Sequence, residues 1–186
     1  MIKFIAKLIT NFIPNRKSRR KARRWILTQF YARDIFKRAK YVGKNLICGD
    51  YCFVSNGTII GDNVRLNQVK IIGNSPCIIG NNCQFGTEIM ILTSNHNYDK
   101  AACLPFDNTY CNKSVKIDDY VWVGSRVTIL PGTHIGEGCV IQAGSVVHGE
   151  IPPCAIIGGN PAKVFKYRDI EHFNKLKADN KVLIEF

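Results

Sequence analysis

From Cys48 onward an apolar side chain returns at every sixth position, a spacing that neither a helix, with a period of about 3.6, nor a strand, with a period of about 2, produces. Cys48, Val54, Ile60, Leu66 and Ile72 form one run in register. Ile79, Phe85 and Ile91 form a second, and Ile117, Val123, Ile129, Ile135, Ile141 and Val147 a third, fourteen hexapeptides in all. The following residue is often glycine (Gly49, Gly61, Gly80, Gly86, Gly124, Gly136), and the fifth is small or β-branched (Cys52, Thr58, Val64, Cys83, Val121, Cys139). Two inward positions thus recur per hexapeptide, and an ordinary sandwich with even strand spacing does not keep such a register over fourteen units.

Two interruptions break the period. A single extra residue near Pro76 shifts the register between Ile72 and Ile79, and residues 93–114 leave the repeat altogether. A long excursion from a rigid repeat is where binding and catalysis concentrate.

Charge is unevenly spread over the 186 residues. Residues 1–40 hold thirteen Lys and Arg against the single Asp34, whereas 41–186 hold thirteen basic and thirteen acidic side chains. Four of the eight cysteines, Cys48, Cys52, Cys83 and Cys139, fall on inward positions, where a thiol behaves as a small hydrophobe. They are therefore expected to be reduced core residues. The sequence shows no CxxC pair, no secretory cleavage pattern and no apolar run of bilayer-spanning length, which points to a cytoplasmic compartment.

In the arm, Ile2, Phe4, Ile5, Leu8, Ile9, Phe12 and Ile13 cover most of a helical wheel, Lys3, Lys7 and Asn11 form a narrow polar stripe, and Pro14 is expected to end the helix. A dense cationic stretch from Arg16 to Arg24 leads into a second helix containing Trp25, Phe30 and Phe36. An apolar helix face beside a basic cluster is the pairing that settles on an anionic leaflet. The alternative is an arm packed on the column or on a neighbouring subunit. Nucleic acid is not expected, because no recognition motif accompanies the charge.

Four stretches carry a resemblance to the acetyltransferase branch of the hexapeptide-repeat family, which contains galactoside, maltose and nodulation-factor O-acetyltransferases. They are Thr93-Ser94-Asn95-His96, Ile117 through Gly124 with its Val121-Trp122-Val123, Pro131 through Ser145, and Ile151-Pro152-Pro153 through Asn160-Pro161-Ala162-Lys163. The resemblance implies an all-β fold: a left-handed parallel β-helix of triangular section, eighteen residues per coil, with four to five coils for fourteen hexapeptides. It divides the chain into a basic amphipathic helical arm (1–40), a β-helix acetyltransferase domain (41–164) with its excursion at 93–114, and a C-terminal helical tail (165–186). In that tail Asp169 to Asp179 reads as a short helix, with Ile170, Phe173 and Leu176 on one face, that caps the open end or docks on a neighbour.

The same resemblance places the catalytic base at His96, since acyl transfer from a thioester to an alcohol needs a group that takes the hydroxyl proton near neutral pH. His134 and His172 are expected to be ordinary surface residues. The co-substrate implied is acetyl-CoA, held in a groove between adjacent prisms of a homotrimer. Trp122 would flank its pantetheine arm, Ser125 and Ala143 would hydrogen-bond it, His148 and Gly149 lie close by, and Lys163 and Lys166 would meet its phosphates. Asn67 matches a family asparagine that helps hold the acceptor. Asp118 and Tyr120 depart from the family's glycine and acidic residue before the tryptophan. No metal is expected, because Ala101 stands where related zinc enzymes carry a second loop histidine. These readings converge on O-acetylation of a sugar hydroxyl in surface-polysaccharide synthesis, on or near the inner face of the membrane. The rival readings are N-acetylation of an amino-sugar nucleotide or a xenobiotic, and a non-catalytic trimeric scaffold.

Overall fold

The computed structural model describes residues 1–183 and shows a three-sided parallel β-helix with three helices before it and one after. Face A stacks Tyr41–Val42, Ile59–Ile60, Cys77–Ile79, Val115–Ile117, His134–Ile135 and Glu150–Ile151. Face B stacks Ile47–Cys48, Arg65–Leu66, Gln84–Phe85, Trp122–Val123, Val140–Ile141 and Ala155–Gly159. Face C stacks Val69–Ile72, Ile89–Leu92, Thr128–Ile129 and Val146–Val147, with Phe53 bridged to Lys70 below them.

The inward residue of each strand sits directly on that of the next coil. Ile60, Ile79, Ile117 and Ile135 form the column of face A, each at most 1% exposed. Leu66, Phe85, Val123 and Ile141 do the same on face B. The column is longer than the period of six reveals. Val42 adds a rung below, and Ile151 and Ile157 add one above. The final coil runs sixteen residues rather than eighteen, from Ile135 to Ile151 and from Ile141 to Ile157, and so escapes a search for sixes.

The register around Pro76 also differs from the sequence reading. Ile71, not Ile72, lies in the core: Ile71 is fully buried and paired with Ile91, while Ile72 is 36% exposed. The turn after Leu66 is one residue short, with Gln68 at φ +50, and two extra residues before Ile79 restore the stack. A slip of one residue in a strand turns its side chains to the opposite face.

The corner between faces A and B is stitched by side chains. The backbone N–H of Lys44 donates to Asp62 (2.7 Å), that of Asp62 to Asn81 (2.8 Å) and that of Asn81 to Asp119 (2.7 Å). The next position in each turn, Asn45, Asn63, Asn82 and Tyr120, takes a left-handed φ between 56° and 60°, a conformation asparagine tolerates better than an aromatic residue does.

The helices are α1 (Ile2–Thr10), α2 (Arg16–Tyr31), α3 (Arg33–Arg38) and α4 (Ile170–Ala178). α1 stops at Thr10, four residues before Pro14, and Asn15 caps α2 by accepting from the N–H groups of Lys17 and Ser18. The end of α2 and α3 close the first coil. Tyr31, Ala32 and Ile35 are buried in the same core as Cys48 and Cys52, and the Thr28 hydroxyl accepts from the Cys48 N–H (3.1 Å).

At the other end, Ala162–Tyr167 forms a strand not expected from the sequence, antiparallel to Ala155–Gly159. α4 lies where the helix was expected, and within the chain its contacts are to the side of the column. It docks on the side of its own column: Phe173 meets Tyr120 edge-on at 5.9 Å, and Lys177 pairs with Glu137 at 2.6 Å. Gly138, at φ +72, makes this possible, because a Cβ there would come within 2.8 Å of the Phe173 ring.

All eight cysteines are free, and only Cys103 and Cys111, both in the excursion, are exposed. Burial pushes the thiols of Cys77 and Cys83 up to about 12 and that of Cys139 up to about 11. A thiol reagent at pH ~8, where only the thiolate reacts, should therefore titrate Cys103 and Cys111 in the native protein and all eight cysteines after denaturation. Ile117→Ala removes a fully enclosed rung and should cost about 3 kcal/mol, read as a fall in the urea midpoint. The same change at the half-exposed Ile78 of the adjoining strand should cost under ~1 kcal/mol.

Candidate active site

The excursion leaves face C at its corner with face A. Thr93, fully buried, anchors the departure, and the Lys113 N–H donates back to its carbonyl at 3.0 Å. Between them Ser94–His96 and Tyr110–Asn112 form a two-stranded antiparallel ribbon in which His96 stands opposite Tyr110. The carboxylate of Asp107 ties the far part of the loop, accepting from the Thr109 hydroxyl and from the N–H groups of Ala102 and Thr109. Those hydrogen bonds, the one from the Thr109 hydroxyl first, hold its carboxyl below the usual range.

His96 is clamped by rings. Phe106 stacks on it at 4.0 Å between centroids with planes 24° apart, and Tyr110 lies tilted at 4.6 Å. Its Nδ1 is shielded from solvent and meets no hydrogen-bond partner among the described residues. Aromatic stacking, rather than a carboxylate, fixes the imidazole plane.

The residues assigned to acetyl-CoA gather on another side of the prism. On the outer surface of face B one cross-strand row runs through Trp122, Val140, Ile156 and Lys166. Trp122 shows 56% of its surface to solvent. Lys163 pairs with Gly158, two residues beyond Ile156. Lys163 and Lys166 would face opposite ways in a regular strand, but a bulge opposite Ile156 and Ile157 brings both to the outer surface. Ser125 and Ala143 form the adjoining corner between faces B and C. The Ser125 hydroxyl accepts from the Thr87 N–H (3.1 Å), and the Thr87 hydroxyl lies 3.2 Å from it. Gly124 lets the coils close here, because a Cβ on it would lie 2.6 Å from the Ala143 nitrogen. Asn67 belongs to the same corner lower down, and its amide donates to the Phe85 carbonyl at 2.8 Å.

His148 and Gly149 lie at the end of a face C strand, both exposed, on the corner from which His96 departs. The sequence-predicted residues therefore form two groups. His96, His148 and Gly149 share the corner between faces C and A, while Trp122, Ser125, Ala143, Lys163, Lys166 and Asn67 share face B and its corner with C. A single chain does not bring the two groups together.

His134 is not the plain surface residue expected. It bridges two carboxylates along face A, Nδ1 to Glu150 and Nε2 to Asp118, each at 2.9 Å, and Lys116 also pairs with Asp118 at 2.9 Å. Partial burial works against ionisation of Asp118 but is outweighed by the hydrogen bonds from Lys116 and His134, which hold its carboxyl below the usual range. Part of the signal was available in the sequence: Lys116 and His134 occupy matching positions of successive eighteen-residue coils, whereas Glu150 belongs to the shortened last coil.

Residues 114–149 match the bacterial transferase hexapeptide (six repeats) family. The chain is 38% identical over 113 residues to WbbJ of Escherichia coli, provisionally named a lipopolysaccharide biosynthesis O-acetyl transferase; the match covers 56% of this chain and 58% of that protein. It is 31% identical over 147 residues to a galactoside O-acetyltransferase of Lactococcus lactis, covering 76% of this chain and 65% of the relative. The matched part is thus less than two thirds of either relative. Among solved structures, a hexapeptide-repeat-containing acetyltransferase of Vibrio cholerae complexed with acetyl coenzyme A superposes with a TM-score of 0.62 at 24% identity, over 89% of this chain and 85% of that one. That likeness shows the fold to be the left-handed β-helix. The repeat, its register and these matches together show a hexapeptide-repeat β-helix similar to those of the acetyltransferases above, with residues 114–149 matching the family itself.

Proposed function

We propose that the protein is an acetyl-CoA-dependent O-acetyltransferase acting on a sugar hydroxyl in surface-polysaccharide synthesis, with its sites completed between the prisms of a homotrimer. One observation carries this reading: an imidazole oriented by two aromatic rings projects from one corner of a column whose opposite side presents an exposed indole and two lysines in one surface. Neither half is a site alone. A neighbouring prism that sets its face B against this corner closes a cleft with a base on one wall and a thioester-binding surface on the other.

In that cleft His96 takes the acceptor hydroxyl proton as the oxygen attacks the acetyl carbonyl. The tetrahedral oxyanion is met by backbone N–H groups. On its collapse the carbon–sulfur bond breaks, and His96 returns the proton to the departing sulfur, leaving the O-acetyl sugar and free coenzyme A. The Trp122 ring lies along the pantetheine arm, with Ser125 and Ala143 as its polar contacts. Lys163 and Lys166 offset phosphate charge, and His148 and Gly149 line the opposing wall. Asn67 helps hold the acceptor, a glycan intermediate kept close to a membrane.

His96→Asn should lower kcat by a factor of about 10² to 10⁴ while binding of coenzyme A, followed by calorimetry, is unchanged. An undiminished rate in the assembled variant overturns the assignment. Replacing Lys163 and Lys166 together by alanine should raise the KM for acetyl-CoA about tenfold with kcat kept, the pattern of a lost binding contact. Mass spectrometry of sugars, nucleotide sugars and lipid-linked glycans after incubation with acetyl-CoA locates the added acetyl. An ester on a sugar hydroxyl supports the reading, and an amide on an amino sugar overturns it.

A further inference from the structure

We propose that α1 and the adjoining start of α2 form a docking surface for an anionic lipid membrane. α1 packs on α2 through Ala6 and Thr10, both buried, with the Arg23 guanidinium donating to the Thr10 hydroxyl at 3.3 Å. Lys3 turns away to pair with Asp50 of the column at 3.0 Å. The residues left facing outward are Phe4, Ile5, Leu8, Ile9 and Phe12, between 39% and 89% exposed. At about 100° per residue the four within α1, Phe4, Ile5, Leu8 and Ile9, fall within an arc of about 140°, and Phe12 follows in the turn beyond the helix. They form one unbroken apolar stripe, and Arg16, Arg20 and Lys21 stand exposed at the start of the next helix.

A stripe of this extent needs a cover, and charge selects it. The arm carries thirteen cations against one carboxylate, while the rest of the chain is balanced, so a second copy of the arm would bring like charges together. Nucleic acid would answer the cations and leave the phenylalanines in water. An anionic bilayer answers both: its headgroups neutralise the cations and its acyl boundary receives the stripe. Among the described residues no helix is long and apolar enough to cross a membrane, so the arm lies on the surface. Because α2 and α3 close the first coil, the N-terminal end of the column is the end nearest the lipid. His96 leaves the third coil, about 10 Å further along the axis.

The test uses the full chain and sedimentation with vesicles of phosphatidylcholine alone or with about 30% phosphatidylglycerol, enough to set a negative surface potential. The protein should pellet with the anionic vesicles and not with the neutral ones, and ~0.5 M salt should release much of it. Phe4→Ser, Leu8→Ser and Phe12→Ser together replace exposed side chains and should leave the thermal melt unchanged while weakening partitioning about tenfold or more. Equal pelleting of this variant, or none by the parent protein, overturns the proposal. A change in oligomeric state without lipid binding assigns the stripe to a second copy, and binding of duplex DNA without lipid binding assigns the cations to nucleic acid. Acetyl transfer to a soluble acceptor should persist in the variant, so loss of lipid binding is separable from loss of catalysis.

Discussion

Each coil of this molecule is stable only because its inward side chains rest on those of the coil beneath. A strand of two residues, such as Trp122–Val123, has almost no structure of its own. Stacking supplies what it lacks: Val123 lies between Phe85 and Ile141, and its backbone is hydrogen-bonded in both directions. Because the rise per coil is fixed by hydrogen bonding, the outer surface is also periodic. That periodicity turns Trp122, Val140, Ile156 and Lys166 into a row, and the proposed chemistry uses the row as a ruler-straight wall.

The features that depend on this stacking were the legible ones. Apolar residues six apart, glycine where a Cβ would strike the next coil, and a twenty-residue break in the rhythm are all direct images of the columns, so the fold and the position of His96 followed from the sequence. What escaped does not repeat. The swap of Ile71 for Ile72 comes from a turn one residue short, which the period absorbs within a few positions. The last coil was invisible because it takes sixteen residues. The bulge that aligns Lys163 with Lys166 depends on pairing with a strand that no local pattern announces. Docking of α4 rests on the fit of Phe173 against Gly138 and Tyr120, a contact between segments far apart in the chain. His134 reads as a lone histidine in the sequence because a carboxylate sixteen residues away, Glu150, is a neighbour only once the coil is wound.

The division of the site residues between two sides of the prism has a plain geometric origin. An excursion can leave the column only at a corner, and a flat binding wall can form only on a face. In the proposed function base and wall therefore lie on different surfaces of any one column, and a neighbouring prism would be needed to join them. In the proposed trimer the clamp of Phe106 and Tyr110 matters more than its small size suggests. A base presented to a neighbouring subunit must hold its direction without that subunit's help, and one stacked and one tilted ring hold the imidazole plane here.

A column built from interchangeable coils has no internal reason to stop, and its ends are as adhesive as its middle. Here each end is finished differently. Tyr31, Ala32 and Ile35 roof the first coil with helix, while at the other limit Ala162–Tyr167 runs backwards along face B and offers any incoming strand the wrong direction for parallel addition. This reversal, which also carries the two lysines, covers the last parallel edge of face B, so that face no longer presents the edge on which a further coil would stack.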